Sequence, residues 1–203
     1  MIKTISRIAS ILFSPFIVPT YAIAMVLWMT ILFVVPLETK FTVTAITFLL
    51  TMGMPLLVIL GLYRAKTIHS MGLENRKERL IPYLVAVVCY ALLAVYYHKI
   101  HSPIWLTMFP IGGGLAVLVT LIVNRWWKIS AHSAAMGGFA AFVYLLHHSQ
   151  VLLFGGMPML YFAVIVTGIL GTARIILGLH SPLQVLAGIA NGVLCILLTS
   201  LFY

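Results

Sequence analysis

The chain contains no Asp and only three acidic residues, Glu38, Glu74 and Glu78, among 203. That scarcity argues against a two-metal carboxylate site, an EF-hand or an Asp-based proton relay, each of which needs several hard oxygen donors. No metal or cofactor is expected. The two cysteines, Cys89 and Cys195, lie inside apolar runs, where a thiol behaves as a small hydrophobe, so no disulfide is expected. Charge of either sign is sparse: 7% of residues, against 63% hydrophobic. Soluble domains carry about 25% charged residues, so an ordinary soluble domain is excluded and an integral membrane protein is expected.

What charge there is points one way. Twelve Lys and Arg against three acids give a formal net charge of +9. In a membrane protein this excess reflects cytoplasmic loops rather than nucleic-acid binding, with anionic lipid headgroups as natural partners. Apolar stretches fall at roughly 8–35, 41–63, 81–98, 104–123, 131–147, 157–178 and 182–203. A spanning helix uses about 20 apolar residues, so the fold class is an all-α polytopic bundle of six to seven helices in a single membrane domain, 1–203. Two N-terminal spans (1–63) precede a core (64–203). The N-terminal run lacks a small-residue cleavage site and reads as a retained first span.

The main hydrophilic segment is Arg64–Arg79, and the other polar islands are brief. Two spans separate Arg79 from His132, and two more separate His132 from Arg174. An even number of crossings returns the chain to the same side, so these islands share one membrane face. Ten of the twelve Lys and Arg fall on that face, leaving Lys40 and Lys99 opposite. The positive-inside rule therefore places it in the cytoplasm.

An ionisable residue at membrane depth is costly and is a functional candidate. Arg174 ends an apolar run and is followed by Ile175, Ile176 and Leu177; a snorkelling Arg at a helix C-terminus is the plainer alternative. Ser181, Pro182 and Gln184 have the pattern of a capping box for the last span, which accounts for Gln184 without chemistry. The same pattern sets His180 at a helix N-terminus, where unpaired N–H groups favour a bound phosphate. Ser130 and His132 repeat the arrangement at the fifth span. His69, His98, His101, His147 and His148 read as ordinary amphipathic residues. His132 and His180 differ because parity gathers them with Arg174, Arg76, Lys77 and Arg79. Two imidazoles in a cationic cluster suit phosphoryl transfer: the cations stabilise charge spread over oxygen, one His attacks phosphorus and the other protonates the leaving oxygen.

These residues resemble the type 2 phosphatidic acid phosphatase superfamily, lipid phosphate phosphatases that share a helical core with vanadium haloperoxidases. The family's last motif, Ser-Arg-x5-His-x3-Asp, is met here by Ala173-Arg174-x5-His180-x3-Gln184, with the Asp replaced. Its Pro-Ser-Gly-His is met by Ile129-Ser130-Ala131-His132. Its Lys-x6-Arg-Pro survives only as basic character in Arg76-Lys77-Glu78-Arg79 with Pro82 nearby. The resemblance covers roughly 65–203. It implies a phosphohistidine formed on His180, His132 as general acid, Arg174 as phosphate clamp, and Arg79 in the first motif's Arg position with Arg76 or Lys77 as substitutes. It also implies that Ser130 and the Ala131 backbone contact phosphate oxygens. Gln184 stands where the family Asp orients the nucleophilic His; its carbonyl can still accept the imidazole N–H but brings no charge.

The expected function is metal-independent removal of a terminal phosphate from a lipid phosphate or isoprenoid diphosphate. The alternatives are a non-hydrolytic lipid-phosphate binder or transporter, and a structural subunit. The expected location is a multi-pass position in a bacterial inner membrane, where the resemblance implies an outer-face site and the Lys and Arg count a cytoplasmic one.

Overall fold

The computed structural model describes residues 1–73 and 75–202, so Glu74 lies outside the described residues. The architecture is an all-α bundle. Its helices are α1 (Ile2–Leu12), α2 (Val18–Met29), α3 (Leu37–Phe48), α4 (Met54–Arg64), α5 (Leu80–Lys99), α6 (Ile104–Val123), α7 (Ala131–His148), α8 (Gly156–Ile176) and α9 (Pro182–Thr199). Among the described residues the only β-type pairing is an isolated bridge between Thr30 and Leu152.

Five helical segments are long and apolar enough to cross a membrane: Leu37–Arg64, Arg76–Lys99, Ile104–Val123, Gly156–Ile176 and Pro182–Phe202. The chain is a multi-pass integral membrane protein. The segment Leu37–Arg64 runs α3 into α4 through a π turn, Leu49–Gly53, just ahead of Pro55. A proline has no N–H and crowds the carbonyl four residues back, and a widened turn at that point relieves the conflict.

The first apolar stretch, 8–35, is not one span. It breaks into α1 and α2 around Ser14–Pro15, because proline disfavours helical geometry at the residue before it. Beyond the break, α1 packs against α8. It buries Ser6 and Ser10 while Ile2, Ile5, Ile8 and Ile11 stay exposed. In α2, seven of twelve residues are buried, including Ala22, Ile23 and Val26 at 0% exposure. The short α2 is therefore part of the protein core, which it shares with Phe142, Val143 and Leu170.

Helix α7 is less apolar than its neighbours for a related reason. Ten of its eighteen residues are buried, so protein rather than lipid surrounds it. Its closest partner is α9, and small residues make the approach possible. A β-carbon on Gly192 would run into the Ala134 carbonyl, and one on Gly137 would meet the Ile189 backbone. Both neighbours are main chain and cannot move aside. On another side of α9, Asn191 donates to the Ala116 carbonyl (2.9 Å) and to Thr120 Oγ1 (3.0 Å) of α6, an interhelical polar tie suited to an apolar interior. Because α7 and α9 begin on the same face, their close contact sets two helix N-termini side by side.

Candidate functional site

The alternating course of α5 to α9 puts the starts of α5, α7 and α9 and the ends of α6 and α8 on one face, as parity predicts. The Ser130 N–H donates to the Gln184 carbonyl across the α7–α9 contact at 3.1 Å, joining two of the three motif segments directly.

His180 follows Gly178, whose φ of +69° lets the chain turn sharply after α8. It is buried, at 7% exposure. Its Nδ1 lies 3.2 Å from Gln184 Oε1, and the Ser181 N–H donates to the same oxygen at 3.2 Å. An oxygen only accepts, so His180 carries its proton on Nδ1 and leaves the Nε2 lone pair open. Ser181 Oγ in turn accepts the Gln184 N–H at 3.4 Å, which completes the capping box. The two readings of Gln184 thus hold together: one amide oxygen caps α9 and orients the imidazole.

Burial, and then the positive charges of Lys128, Arg174 and Arg79, push His180 down to about 4, against an opposing pull from the Gln184 hydrogen bond. The imidazole is neutral at physiological pH. Arg174 sits half-buried in the last turn of α8, and Lys128 precedes the Ser130 cap by two residues. Sequence reasoning counted Lys128 on this face but did not name it as a site residue. Its place directly before the Ser130 cap was the available signal.

His132 occupies the first turn of α7, half-buried. Its Nε2 donates to the Ser10 backbone carbonyl at 3.1 Å, so the lone pair of the neutral ring is on Nδ1. Arg174, His180 and Arg79 all lie within electrostatic reach of it. This tie to α1 was not legible, because a backbone carbonyl leaves no side-chain signature and α1 falls outside the motif region.

The structure places the other expected phosphate contacts as follows. Ser130 is fully buried, and its Oγ accepts both the Ser133 N–H (3.3 Å) and the Ser133 hydroxyl (2.9 Å), so its oxygen serves the α7 cap. Arg76 reaches away, its Nη1 donating to the Trp126 carbonyl at 2.8 Å, while its own carbonyl receives Asn124 Nδ2 at 2.7 Å. Those bonds clamp the 64–79 loop to the α6–α7 loop. Lys77 is exposed. Arg79 is the member of the basic run that turns inward: at 5% exposure, it donates from Nε to the Leu73 carbonyl (2.8 Å) and from Nη1 to the Tyr83 hydroxyl (3.3 Å). Ala131 is half-buried at the start of α7. Nearby Glu78 is directed to His69, accepting from its Nδ1 at 2.7 Å and from its backbone N–H at 3.2 Å. His148, on the opposite face, stacks on Tyr144.

Beneath the cations runs an apolar groove. Tyr83 and Ala131 lie at its upper end, and Thr51, Phe109, Ala135 and Ile196 line it deeper in the bundle. Tyr83 thus lines the groove, and its hydroxyl takes the Arg79 hydrogen bond. Among the described residues, the site offers a neutral imidazole with its lone pair on Nε2, a second imidazole and three cations, above an apolar channel. Comparison with family models, curated proteins and solved structures finds no match to this chain.

Proposed function

We propose that the protein is a metal-independent membrane phosphatase that removes a terminal phosphate from a lipid phosphate or isoprenoid diphosphate, with His180 as nucleophile. The observation that carries this reading is His180 itself: buried, tautomerically set by Gln184 with Nε2 open, and surrounded by Lys128, Arg174 and Arg79. The resemblance to the type 2 phosphatidic acid phosphatases supports it, and so do the membrane-embedded bundle and the groove below the cations.

In the proposed reaction the Nε2 lone pair attacks phosphorus while the bond from phosphorus to the lipid oxygen breaks. That oxygen takes a proton from His132, whose Nδ1 is the nitrogen not engaged by Ser10. A phosphate dianion held among the cations adds the opposite charge that favours a protonated His132. Water then attacks the phosphohistidine with His132 as base, releasing inorganic phosphate and restoring His180. Arg174, Arg79 and Lys128 stabilise charge on the phosphoryl oxygens. Substrate comes from the bilayer; nucleic acid has no part in this reading, and no oligomeric state is assigned. The membrane is proposed to be a bacterial inner membrane. An epitope at Met1, read by a membrane-impermeant probe, tells whether the cationic face is outward, as the resemblance implies, or cytoplasmic.

One observation favours a second reading, a lipid-phosphate binder or transporter without turnover. The Gln184 oxygen is neutral and is shared between His180 and the Ser181 N–H, so Gln184 brings no negative charge to compensate a phosphorylated imidazole. Phosphate release from lipid phosphates by detergent-purified protein, with EDTA present, separates the two. Release that His180→Ala abolishes supports the phosphatase. Binding of lipid phosphate without release supports the binder.

A further inference from the structure

The apolar groove narrows the substrate class beyond "lipid phosphate", an inference that rests on the cationic site binding phosphate as proposed above. The groove is continuous with that site. Tyr83 lines the groove and accepts the Arg79 hydrogen bond, and Ala131 is the first residue of the helix that carries His132.

Its length can be read from the helices. Tyr83 lies three residues into α5, about 4.5 Å along the helix axis, while Phe109 lies fourteen residues before the C-terminus of α6, which is on the same face, and so about 21 Å from it, at the ~1.5 Å rise of an α-helix. The interval of about 16 Å is close to half of a ~30 Å hydrocarbon core, which is the depth one lipid tail occupies in one leaflet. The groove is also small. Its cavity volume is ≈ 90 Å³, far below the ~300–1,000 Å³ of sites that hold compact ligands.

Its lining is largely apolar, and its two threonine hydroxyls are engaged: Thr51 donates to the Thr47 carbonyl, and Thr120 to the Ala116 carbonyl. Such a channel excludes water and takes hydrocarbon. A second concavity lies on the outside of α6 and α9, lined by Leu115, Val119, Leu194 and Leu198. Among the described residues, none that lines it is hydrogen-bonded to a cation of the site, as Tyr83 is for the first groove, so it offers no second seat for a tail of the same molecule.

We propose that the preferred ligand is a phosphate carried on one hydrocarbon chain, the chain lying in the groove from Tyr83 to Phe109 and the phosphate beside His180, and that two-chain glycerolipid phosphates are disfavoured. The shared chemistry has two sources, an isoprenoid phosphate and a single-acyl glycerophosphate, and the test carries both.

Purified protein is assayed for phosphate release from farnesyl phosphate, lysophosphatidic acid, dioleoyl phosphatidic acid and a tailless aryl phosphate. In parallel, binding of dodecylphosphonate, which cannot be hydrolysed, is measured by titration calorimetry. The expected result is kcat/KM at least tenfold higher for a single-chain phosphate than for the dioleoyl lipid; which single-chain substrate leads identifies the source. Filling the groove from two different helices, with Ala135→Phe and Val117→Phe, is expected to lower the ratio of farnesyl phosphate to aryl phosphate kcat/KM about tenfold. Val119→Phe, in the outer concavity, leaves that ratio where it is.

Equal or better turnover of dioleoyl phosphatidic acid, or groove variants that leave the ratio intact, overturns the inference while the phosphatase stands. If nothing is hydrolysed but dodecylphosphonate binds and both groove variants weaken it at least tenfold, the phosphatase reading fails and the groove assignment holds. Dodecylphosphonate binding that neither groove variant changes overturns it in that case too.

Discussion

Replacing Gln184 by Glu tests the proposed chemistry most directly, because it changes charge at one atom while keeping shape. In the native site Oε1 accepts two hydrogen bonds at 3.2 Å, from His180 Nδ1 and from the Ser181 N–H. Glu is isosteric, and Glu or Gln serves equally at the third position of a capping box. The negative charge also lies at the N-terminus of α9, where it is favourable by about 0.3–1 kcal/mol, so folding is not expected to suffer. A hydrogen bond to a charged group contributes roughly 1.5–3 kcal/mol against about 0.5–1.5 for a neutral one. The added stabilisation of a positively charged phosphohistidine is then on the order of 1.4 kcal/mol, or about tenfold in rate. The same energy corresponds to about one unit in the proton affinity of His180.

The sign of the pH effect follows. The nucleophile must be neutral, and burial and cations hold native His180 down to about 4. Activity is lost as pH falls through the value of the site, so Gln184→Glu should move the acid limb upward by about one unit while raising the plateau about tenfold. Gln184→Asp, one methylene shorter, draws the carboxylate away from both donors and should gain less. Single-turnover phosphate release from pH 4 to 8 measures all three proteins. A folded Gln184→Glu variant with a lower plateau and an unmoved acid limb would refute the role assigned to Gln184, leaving it as a helix cap alone.

Arg174→Lys should reduce kcat/KM by about ten- to a hundredfold, since a point charge does not reproduce a bidentate fork on phosphate; near-native kinetics would remove Arg174 from the site. Native activity should persist about one to two pH units below the ordinary His range near 6.5, because His180 stays neutral there; a steep loss between pH 7 and 6 would contradict that. Gly192→Ala places a β-carbon against the Ala134 carbonyl and should destabilise the protein by about 1–3 kcal/mol, the usual cost of overpacking, read as a lower Tm in detergent; an unchanged Tm would show that α7 and α9 tolerate separation. Vanadate, as a phosphate mimic, should inhibit turnover while EDTA leaves it unchanged; strong EDTA sensitivity would point to a metal-dependent reaction instead.

Hydropathy and end signals carried the reading of the fold because both are local. Apolar runs long enough to cross a bilayer mark their helices whatever their neighbours do, and six of the seven stretches emerge as helices close to the expected limits. The exception, 8–35, contains Pro15, and its division followed from a constraint visible in the sequence but outweighed there by the length of the apolar run. Parity needs only the number of crossings, so the shared face of Arg79, His132, Arg174 and His180 was legible too. The Ser181 and Gln184 capping box spans four residues and required nothing beyond them.

The sequence by itself therefore determined that this is a membrane bundle, which loops share a face, and which two helix N-termini carry a His. Tertiary structure alone decided which cations meet those imidazoles. Arg79 and Arg76 are three residues apart in the same basic run, yet one is buried on the Leu73 carbonyl and Tyr83 and the other is clamped to Trp126. The Ser10 carbonyl on His132 and the groove beneath Tyr83 likewise arise only when the turn after α1 and the glycine contact between α7 and α9 bring distant segments together. The physical reason is the same in each case: hydropathy, caps and parity are properties of one segment or a count of segments, whereas a side chain's partner is fixed by the close approach of backbones far apart in the chain.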